Sequence, residues 1–328
     1  MKTEILKLLR ESGGYVSGQQ LCETLGVSRT AVWKAINQLK EAGYQVEAVR
    51  NRGYRIIDSP DVMTEEELKS LIGDETKWAG QNVCYYGKVD STNLRAKQFG
   101  DEGAPGGTLV VADMQTAGRG RRGRGWDSPA GSSIYMSVLL RPKFRPDKAP
   151  MLTIVMAYSV ARVLRKCTGL DVLIKWPNDI VLNGKKIVGI LTEMSTEIDY
   201  INHVVIGVGI NVNLASFPEE IAEKATSLRM ECGEVQKRAP IIVEIMKEFE
   251  QYYERFEQTE DLSFLQQPYN EMLVNCGREV SILGAKETYQ AYALGINETG
   301  ELLVRREDGS IEAVYAGEVS VRGVYGYV

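Results

Sequence analysis

Gly118-Arg119-Gly120-Arg121-Arg122-Gly123-Arg124-Gly125, followed by Trp126-Asp127-Ser128-Pro129, is the stretch that decides how the middle of this 328-residue chain folds. Four arginines alternate with four glycines in eight residues. The glycines let a backbone approach a ligand closely, and the guanidinium groups surround an anion. The spacing also satisfies G-x-G-x-x-G, which in a dinucleotide-binding unit must open a helix. Here a proline and an apolar run, residues 133–140, follow instead, and no acidic residue stands where a ribose would need it. A strand–loop–strand unit that captures phosphate is the expected reading, against the alternative of a solvated basic loop.

Outward from the loop, residues 172–175 form a strand that runs into Lys175-Trp176-Pro177-Asn178-Asp179. A lysine at a strand end beside a buried tryptophan can hold a fixed charge near a reacting phosphate oxygen, where scarce water keeps electrostatics strong. Alone, such a lysine is more often a solvated turn residue. Another strand, residues 185–191, follows, then Gly207-Val208-Gly209-Ile210-Asn211-Val212-Asn213, whose glycines suggest a backbone passing close to a ligand. Upstream, residues 108–113 read as a strand leading to Gln115. The inventory has cationic clamps and glycine openings but no serine elbow and no Walker lysine. Nucleotidyl transfer fits it, because a substrate carboxylate attacks an α-phosphate while the protein mainly positions and neutralises.

The first sixty residues differ in character. Ile5, Leu6, Leu8 and Leu9 make a short amphipathic helix that Gly13 and Gly14 break. Ser17 with Gln20 is a capping-box pattern opening a second helix, which Gly26 ends. Ser28 caps a third, with Val32, Ala35, Ile36 and Leu39 on one face. Residues 44–57 read as a two-stranded wing around Arg50, Asn51, Arg52 and Gly53. Although the net charge of −5 argues against a protein that coats nucleic acid, residues 28–55 carry six Lys or Arg against Glu41 and Glu47. This winged helix-turn-helix is expected to bind DNA through Ser28, Arg29, Thr30, Trp33, Lys34 and Asn37, with Arg50 and Arg52 on phosphates. A small helical domain used for protein contact is the alternative.

Five cysteines, none closely paired, imply a reducing cytosol without structural zinc. The one histidine, His203, lies in an apolar run read as a buried strand and is expected to be a satisfied strand residue, so a histidine-based base or metal triad is not expected. No run is apolar enough to cross a bilayer, and a cytoplasmic location without membrane contact is expected. Residues 59–61 read as a linker. From about residue 274, short strands alternate with turns at Gly284, 297–300 and Asp308-Gly309, the pattern of a small antiparallel barrel.

Asp90-Ser91-Thr92-Asn93, Gln115 with residues 118–125, residues 175–179, 186–191 and 207–213 together resemble the ordered motif set of the biotin protein ligases. With the N-terminal domain, the resemblance extends over practically the whole chain to the bifunctional bacterial members that are also biotin operon repressors. It implies an α+β multidomain architecture: a winged helix-turn-helix in residues 1–60, a mixed sheet with helices of the class II aminoacyl-tRNA-synthetase-like kind in residues 61–272, and an SH3-like β-barrel in residues 273–328. The implied chemistry joins biotin to AMP at the expense of ATP with Mg²⁺, then transfers biotin to a lysine of a biotin carboxyl carrier protein.

By the same resemblance, Ser91, Thr92, Asn93, Gln115, Arg119, Gly120 and Arg121 hold biotin. Lys175 bridges its carboxylate and the α-phosphate, and Lys175 and Arg121 are the catalytic pair. Arg121, Arg124, Trp126, Lys186 and Asn211 take the nucleotide, Trp126 covering the adenine side. No metal ligands are implied. Asp179 is a guess for the base that deprotonates the acceptor lysine, with turn capping as its other role. A homodimer formed when adenylate is bound would present two winged domains to operator DNA. Two competing functions remain: a ligand-sensing repressor without turnover, and a lipoate-type acyl-adenylate ligase.

Overall fold

The computed structural model describes residues 1–284, 288–315, 320–323 and 328. The chain begins with α1 (Lys2–Glu11), α2 (Gly18–Leu25) and α3 (Arg29–Glu41), then the antiparallel wing of β1 (Gln45–Val49) and β2 (Gly53–Asp58). Each expected cap is in place. Ser17 Oγ accepts the Gln20 amide and Ser28 Oγ that of Ala31, so each helix start is fixed by a side chain the backbone would otherwise lack. Val32, Ala35, Ile36 and Leu39 point α3 into a core shared with Ile5, Leu6, Leu9 and Leu21. Gly53 has φ 111°, and a Cβ there would lie 2.0 Å from the Val16 carbonyl oxygen. Only glycine lets the wing pair with the chain before α2.

The expected linker is a fixed joint. After it comes α4 (Glu65–Ile72), whose buried Glu67 accepts two bonds of 2.7 Å from Arg10 of α1 and one of 2.7 Å from the Tyr44 hydroxyl. Arg10 also reaches Ser59 at 3.0 Å and Ser70. Burial, then the Glu67 carboxylate, push the Tyr44 hydroxyl well above the ordinary tyrosine range.

The central sheet contains β3 (Val83–Tyr86), β4 (Leu109–Ala112), β5 (Ser133–Leu140), β6 (Leu173–Lys175), β7 (Asp179–Leu182), β8 (Lys185–Thr196) and β9 (Ile201–Asn211). Its order is β3-β4-β5-β9-β8-β7-β6, with only β3 and β4 parallel. Its helices are α5 (Thr92–Asp101), α6 (Met151–Thr168), the short α7 (Glu219–Ala222) and α8 (Leu228–Cys232), α9 (Arg238–Thr259) and α10 (Ser263–Met272). Because strand side chains alternate, β4 turns Leu109 and Val111 into the main core with α6 and α9, and Val110 toward α5. Burial on both faces explains why β5 is apolar along most of its length without alternation. No helix among the described residues is long and apolar enough to cross a membrane.

His203 departs from expectation. It is buried in β9 under α5, against Gly100, where a Cβ would lie 2.7 Å from the imidazole ring. Nδ1 lies 3.8 Å from Asp101, but Nε2 has no hydrogen-bond partner, so the residue is only partly satisfied. Burial pushes its pKa below the ordinary histidine value.

Arg238, the first residue of α9, ties the joint to the sheet. Buried, it donates to Asp61 (2.8 Å from its amide, 2.9 Å from Nε), to Asp113 at 2.8 Å and to the Ser133 carbonyl at 3.1 Å. Removing one partner of such a network leaves buried carboxylates uncompensated. Arg238→Met is therefore expected to lose about 3–5 kcal/mol, read as a lowered guanidinium midpoint with unchanged slope.

The C-terminal part is an antiparallel sheet of β10 (Glu279–Leu283), β11 (Thr288–Ile296), β12 (Leu302–Arg305), β13 (Ile311–Val314) and β14 (Ser320–Gly323), in the order β13-β12-β11-β10-β14. The turns expected at 297–300 and Asp308-Gly309 are in place; the one at Gly284 runs into residues 285–287, which lie outside the described residues. The boundary expected after residue 272 is not a break in the core. Val280, Ile282, Ala293 and Val304 belong to the same cluster as the central helices, and Trp176 Nε1 donates to the Gly300 carbonyl at 3.0 Å.

Candidate functional site

A polar network forms one end of a cavity of about 180 Å³ against the central sheet. Ser91, Thr92 and Asn93, at the start of α5, line the cavity together. The Thr92 amide donates to Gln115 Oε1 at 2.8 Å, and Gln115 Nε2 donates to Ser128 at 3.0 Å, which fixes the orientation of that side chain. Buried Ser137 of β5 lies 2.8 Å from Thr92 Oγ1 and 2.6 Å from Asn93 Oδ1. Asn93 in turn donates to Glu193 at 2.9 Å. Burial raises the Glu193 pKa, but the bonds from Asn93 and Lys97 outweigh it and hold the carboxyl below its ordinary range.

At the other end sits the arginine–glycine loop. Its ends are pinned by Trp126 N to Gly118 O at 3.0 Å and Gly120 N to Arg124 O at 2.7 Å. A single turn of 3₁₀ helix spans Arg121–Gly123, with Arg122 at φ 58°, and no α-helix follows, in agreement with rejection of a dinucleotide-binding turn. Arg121 Nη1 donates to Asn178 Oδ1 at 2.9 Å, and Asn178 Nδ2 donates to the Ile190 carbonyl at 3.0 Å. Burial and the neighbouring charge of Arg122 lower the Arg121 pKa from the ordinary arginine value, opposed in part by Asp179. Among the described residues the cavity lining sets Arg119, Arg121, Arg122, Arg124 and Lys186 against the carboxylate of Asp179, a balance that suits an anion.

Trp126 forms the middle of the wall. Its indole lies on β8 and β9, where Cβ atoms at Gly189 and Gly209 would come within 2.8 Å of the ring. Lys186 Nζ stands 5.2 Å from the ring centroid and 2.6 Å from Asp179 Oδ1. The indole Nε1 is buried without a hydrogen-bond partner. An orphaned donor in a cavity wall is the mark of a missing acceptor.

The structure brings together ten of the residues singled out in the sequence: Ser91, Thr92, Asn93, Gln115, Arg119, Gly120, Arg121, Arg124, Trp126 and Lys186. Two lie outside the lining. Lys175 is buried at the end of β6, paired across the hairpin with Asp179, which does face the cavity. Asn211 is buried, with its side-chain amide donating to the Thr226 carbonyl at 3.1 Å. Asp179 opens β7 and pairs with Lys186, which replaces the expected turn-capping role.

Gly207 and Gly209 line the cavity, and they also make room for side chains of the protein itself. A Cβ at Gly207 would lie 2.0 Å from Asn93 Oδ1, so these glycines admit the side chains of Asn93 and Trp126. Sequence reasoning gave no role to Ser137, Tyr135 or Glu193, and placed Asn178 only within its motif. Ser137 and Tyr135 sit in the buried run of β5, at positions that read as core.

On the winged domain, Arg29, Arg50 and Arg52 line one cleft with Ser17, Gly18 and Gln19 at the start of α2. Trp33 (59% exposed), Thr30 and Lys34 stand on the outer face of α3, with Asn37 half-buried beside them. Ser28 uses its oxygen for the cap. The wing is braced by Tyr15, whose ring lies 4.9 Å from the Arg55 guanidinium and 5.6 Å from that of Arg52 and whose hydroxyl donates to Glu47.

Comparison with known proteins finds the chain 40% identical to Bifunctional ligase/repressor BirA of Bacillus spizizenii over 324 residues, 98% of each chain. The Escherichia coli protein of the same name is 33% identical over 316 residues, 96% of this chain and 95% of that one. The chain belongs to the bifunctional biotin protein ligase/repressor family. Three family models match successive parts of the chain. An HTH domain matches residues 2–55, the Biotin/lipoate A/B protein ligase family residues 86–211, and the Biotin protein ligase C terminal domain residues 276–322. Among solved structures, the Aquifex aeolicus biotin protein ligase in complex with biotin and ATP superposes with a TM-score of 0.66 at 31% identity, over 74% of this chain and 99% of that one.

Proposed function

We propose that this protein is an ATP-dependent biotin ligase and a biotin-responsive repressor, and that the cavity between α5 and the arginine–glycine loop is where both activities begin. One observation carries the reading. A polar, uncharged end at Ser91–Asn93 and Gln115 suits an uncharged ureido ring, while the opposite end is lined by Arg119, Arg121, Arg122, Arg124 and Lys186, suited to phosphate. In the first step a biotin carboxylate oxygen attacks the α-phosphorus, and the bond to the β-phosphate oxygen breaks to release pyrophosphate. In the second, the acceptor lysine nitrogen attacks the acyl carbon, the bond to AMP breaks, and the amine gives up its proton to water.

Arg121 and Lys175 offset the charge that builds up in both steps. Arg124 and Lys186 hold phosphate, Trp126 covers the adenine, and Arg119 and Gly120 close over biotin. Asn211 acts on the nucleotide through the strand end it anchors. Among the described residues Asp179 is the one carboxylate lining the cavity, and it pairs with Lys186. Mg²⁺ would be held chiefly by the ATP phosphates, where it would add to the neutralisation that Arg124 and Lys186 provide.

The acceptor is a biotin carboxyl carrier domain, and the winged domain binds operator DNA. The adenylate-bound chain forms a homodimer, for which the β8–β9 hairpin offers exposed Met194, Ile198 (94% exposed) and Tyr200. Because the matched family model covers biotin and lipoate ligases alike, the deciding experiment is pyrophosphate release with ATP and either acid. Release with biotin and not with lipoate is expected. Release with neither would leave only a ligand-sensing repressor, and release with lipoate alone would reassign the substrate.

A further inference from the structure

Glu193 stands on β8 behind Asn93, outside the cavity lining, and its carboxylate takes two bonds from α5: Oε2 accepts from Asn93 Nδ2 at 2.9 Å and Oε1 from Lys97 at 3.2 Å. We propose that Glu193 is a positioning residue that fixes the direction of hydrogen bonding at the polar end of the cavity, so that this end receives a ring whose nitrogens donate. The inference rests on the ligase reading above and adds a residue that decides which ring is accepted.

An asparagine amide fits the same space in two orientations that differ in which end donates. Here the choice is forced. Asn93 Nδ2 faces Glu193 and, at 3.3 Å, the Leu191 carbonyl, and a carboxylate and a carbonyl can only accept. Although burial raises it, the Glu193 pKa stays below the ordinary range, so the carboxyl is ionised and has no hydrogen of its own to offer. Asn93 Oδ1 is thereby turned to Ser137 and to Gly207, whose lack of a side chain leaves it room.

The consequence passes through β5. Ser137 is fully buried and has one hydrogen for two neighbours, Asn93 Oδ1 at 2.6 Å and Thr92 Oγ1 at 2.8 Å. With Oδ1 an acceptor, that hydrogen goes to Asn93, and the Thr92 hydroxyl must supply the hydrogen of the second contact. Gln115 Oε1, 3.2 Å from Thr92 Oγ1, already accepts the Thr92 amide at 2.8 Å and does not need it. The polar hydrogens of the Asn93 and Thr92 side chains are thus spent inside the protein, and what these two residues offer the cavity they line is oxygen lone pairs. Such an end matches the N–H groups of a cyclic urea. A ring that presents acceptors there would meet like groups, which costs binding. With an apolar side chain in place of Glu193, Asn93 is free to turn over and the order of donors is lost.

The test uses the full chain, with biotin affinity from calorimetry and the KM for biotin and for ATP from pyrophosphate release. Glu193→Leu removes the acceptor, and biotin is expected to bind about tenfold or more weaker, the loss falling on the KM for biotin while kcat and the KM for ATP stay within about twofold. Glu193→Gln keeps an oxygen for Asn93 and is expected to recover affinity to within about threefold of the unsubstituted chain. Lys97→Met breaks the ion pair, leaves the acceptor, and is expected to behave like Glu193→Gln. In an Asn93→Ala background, Glu193→Leu is expected to add less than about twofold, because it acts through that amide. If Glu193→Leu does not fold, Ser137→Ala replaces it, with an expected loss of about threefold or more in biotin affinity at unchanged ATP KM. Unchanged biotin affinity in the variant used overturns the proposal, as does a Glu193→Gln no better than Glu193→Leu. A Lys97→Met loss as large as that of Glu193→Leu would make Glu193 a mere tether for α5, and a full loss in the Asn93→Ala background would route its effect elsewhere; both overturn it. Absence of biotin-dependent pyrophosphate release from the unsubstituted chain would instead remove the ligase reading itself.

Discussion

Arg121→Met is expected to lower biotin-dependent pyrophosphate release by about 10²–10³-fold while leaving the melting temperature nearly unchanged. The side chain lines the cavity, held by Asn178, and its charge is made costly by burial and by Arg122. A group kept cationic against those pressures has its largest effect when an anion is present, and the anion is most concentrated in the transition state of adenylate formation. Methionine preserves much of the apolar stem and removes only the charge. Steady-state kinetics check the point: the loss is expected in kcat more than in the KM for biotin. A loss confined to KM would mean that Arg121 only binds ground-state substrate.

Gly207→Ala is expected to act on the other end of the cavity. The added methyl would lie 2.0 Å from Asn93 Oδ1, and Asn93 is tied to Ser137 and Glu193, so neither partner can yield cheaply. Forcing them apart costs about 1–3 kcal/mol of stability, as overpacking does, and swings the Asn93 side chain out of place in the cavity wall. Calorimetry is expected to show biotin affinity reduced by about tenfold or more alongside a lower melting temperature. Wild-type affinity in a destabilised variant would separate Asn93 from the ligand site.

Much of this site was legible because its chemistry leaves local marks. Caps at Ser17 and Ser28, the apolar face of α3 and the arginine–glycine alternation are all decided within a few residues, and each stands where the sequence placed it. What could not be read depends on partners far away in the chain. Nothing near Asn211 in the sequence announces that its amide meets the Thr226 carbonyl. Ser137 looks like any small core residue until α5 lays Thr92 and Asn93 against it. Asp61 resembles a linker residue because its partner, Arg238, lies 177 positions later. The two glycines of β9 advertised a close approach correctly, but spacing alone cannot tell a ligand from a side chain of the same protein.

Arg10, Glu67, Asp61 and Arg238 make the connection between reading head and catalytic body a weld instead of a leash. In any pair of chains joined through their bodies, the distance between the two heads is then set by the bodies and cannot be adjusted by a slack tether. Such a pair measures DNA like a caliper: it accepts recognition sequences at one separation and one helical phase, and a few base pairs inserted between them put the second head on the wrong face of the duplex.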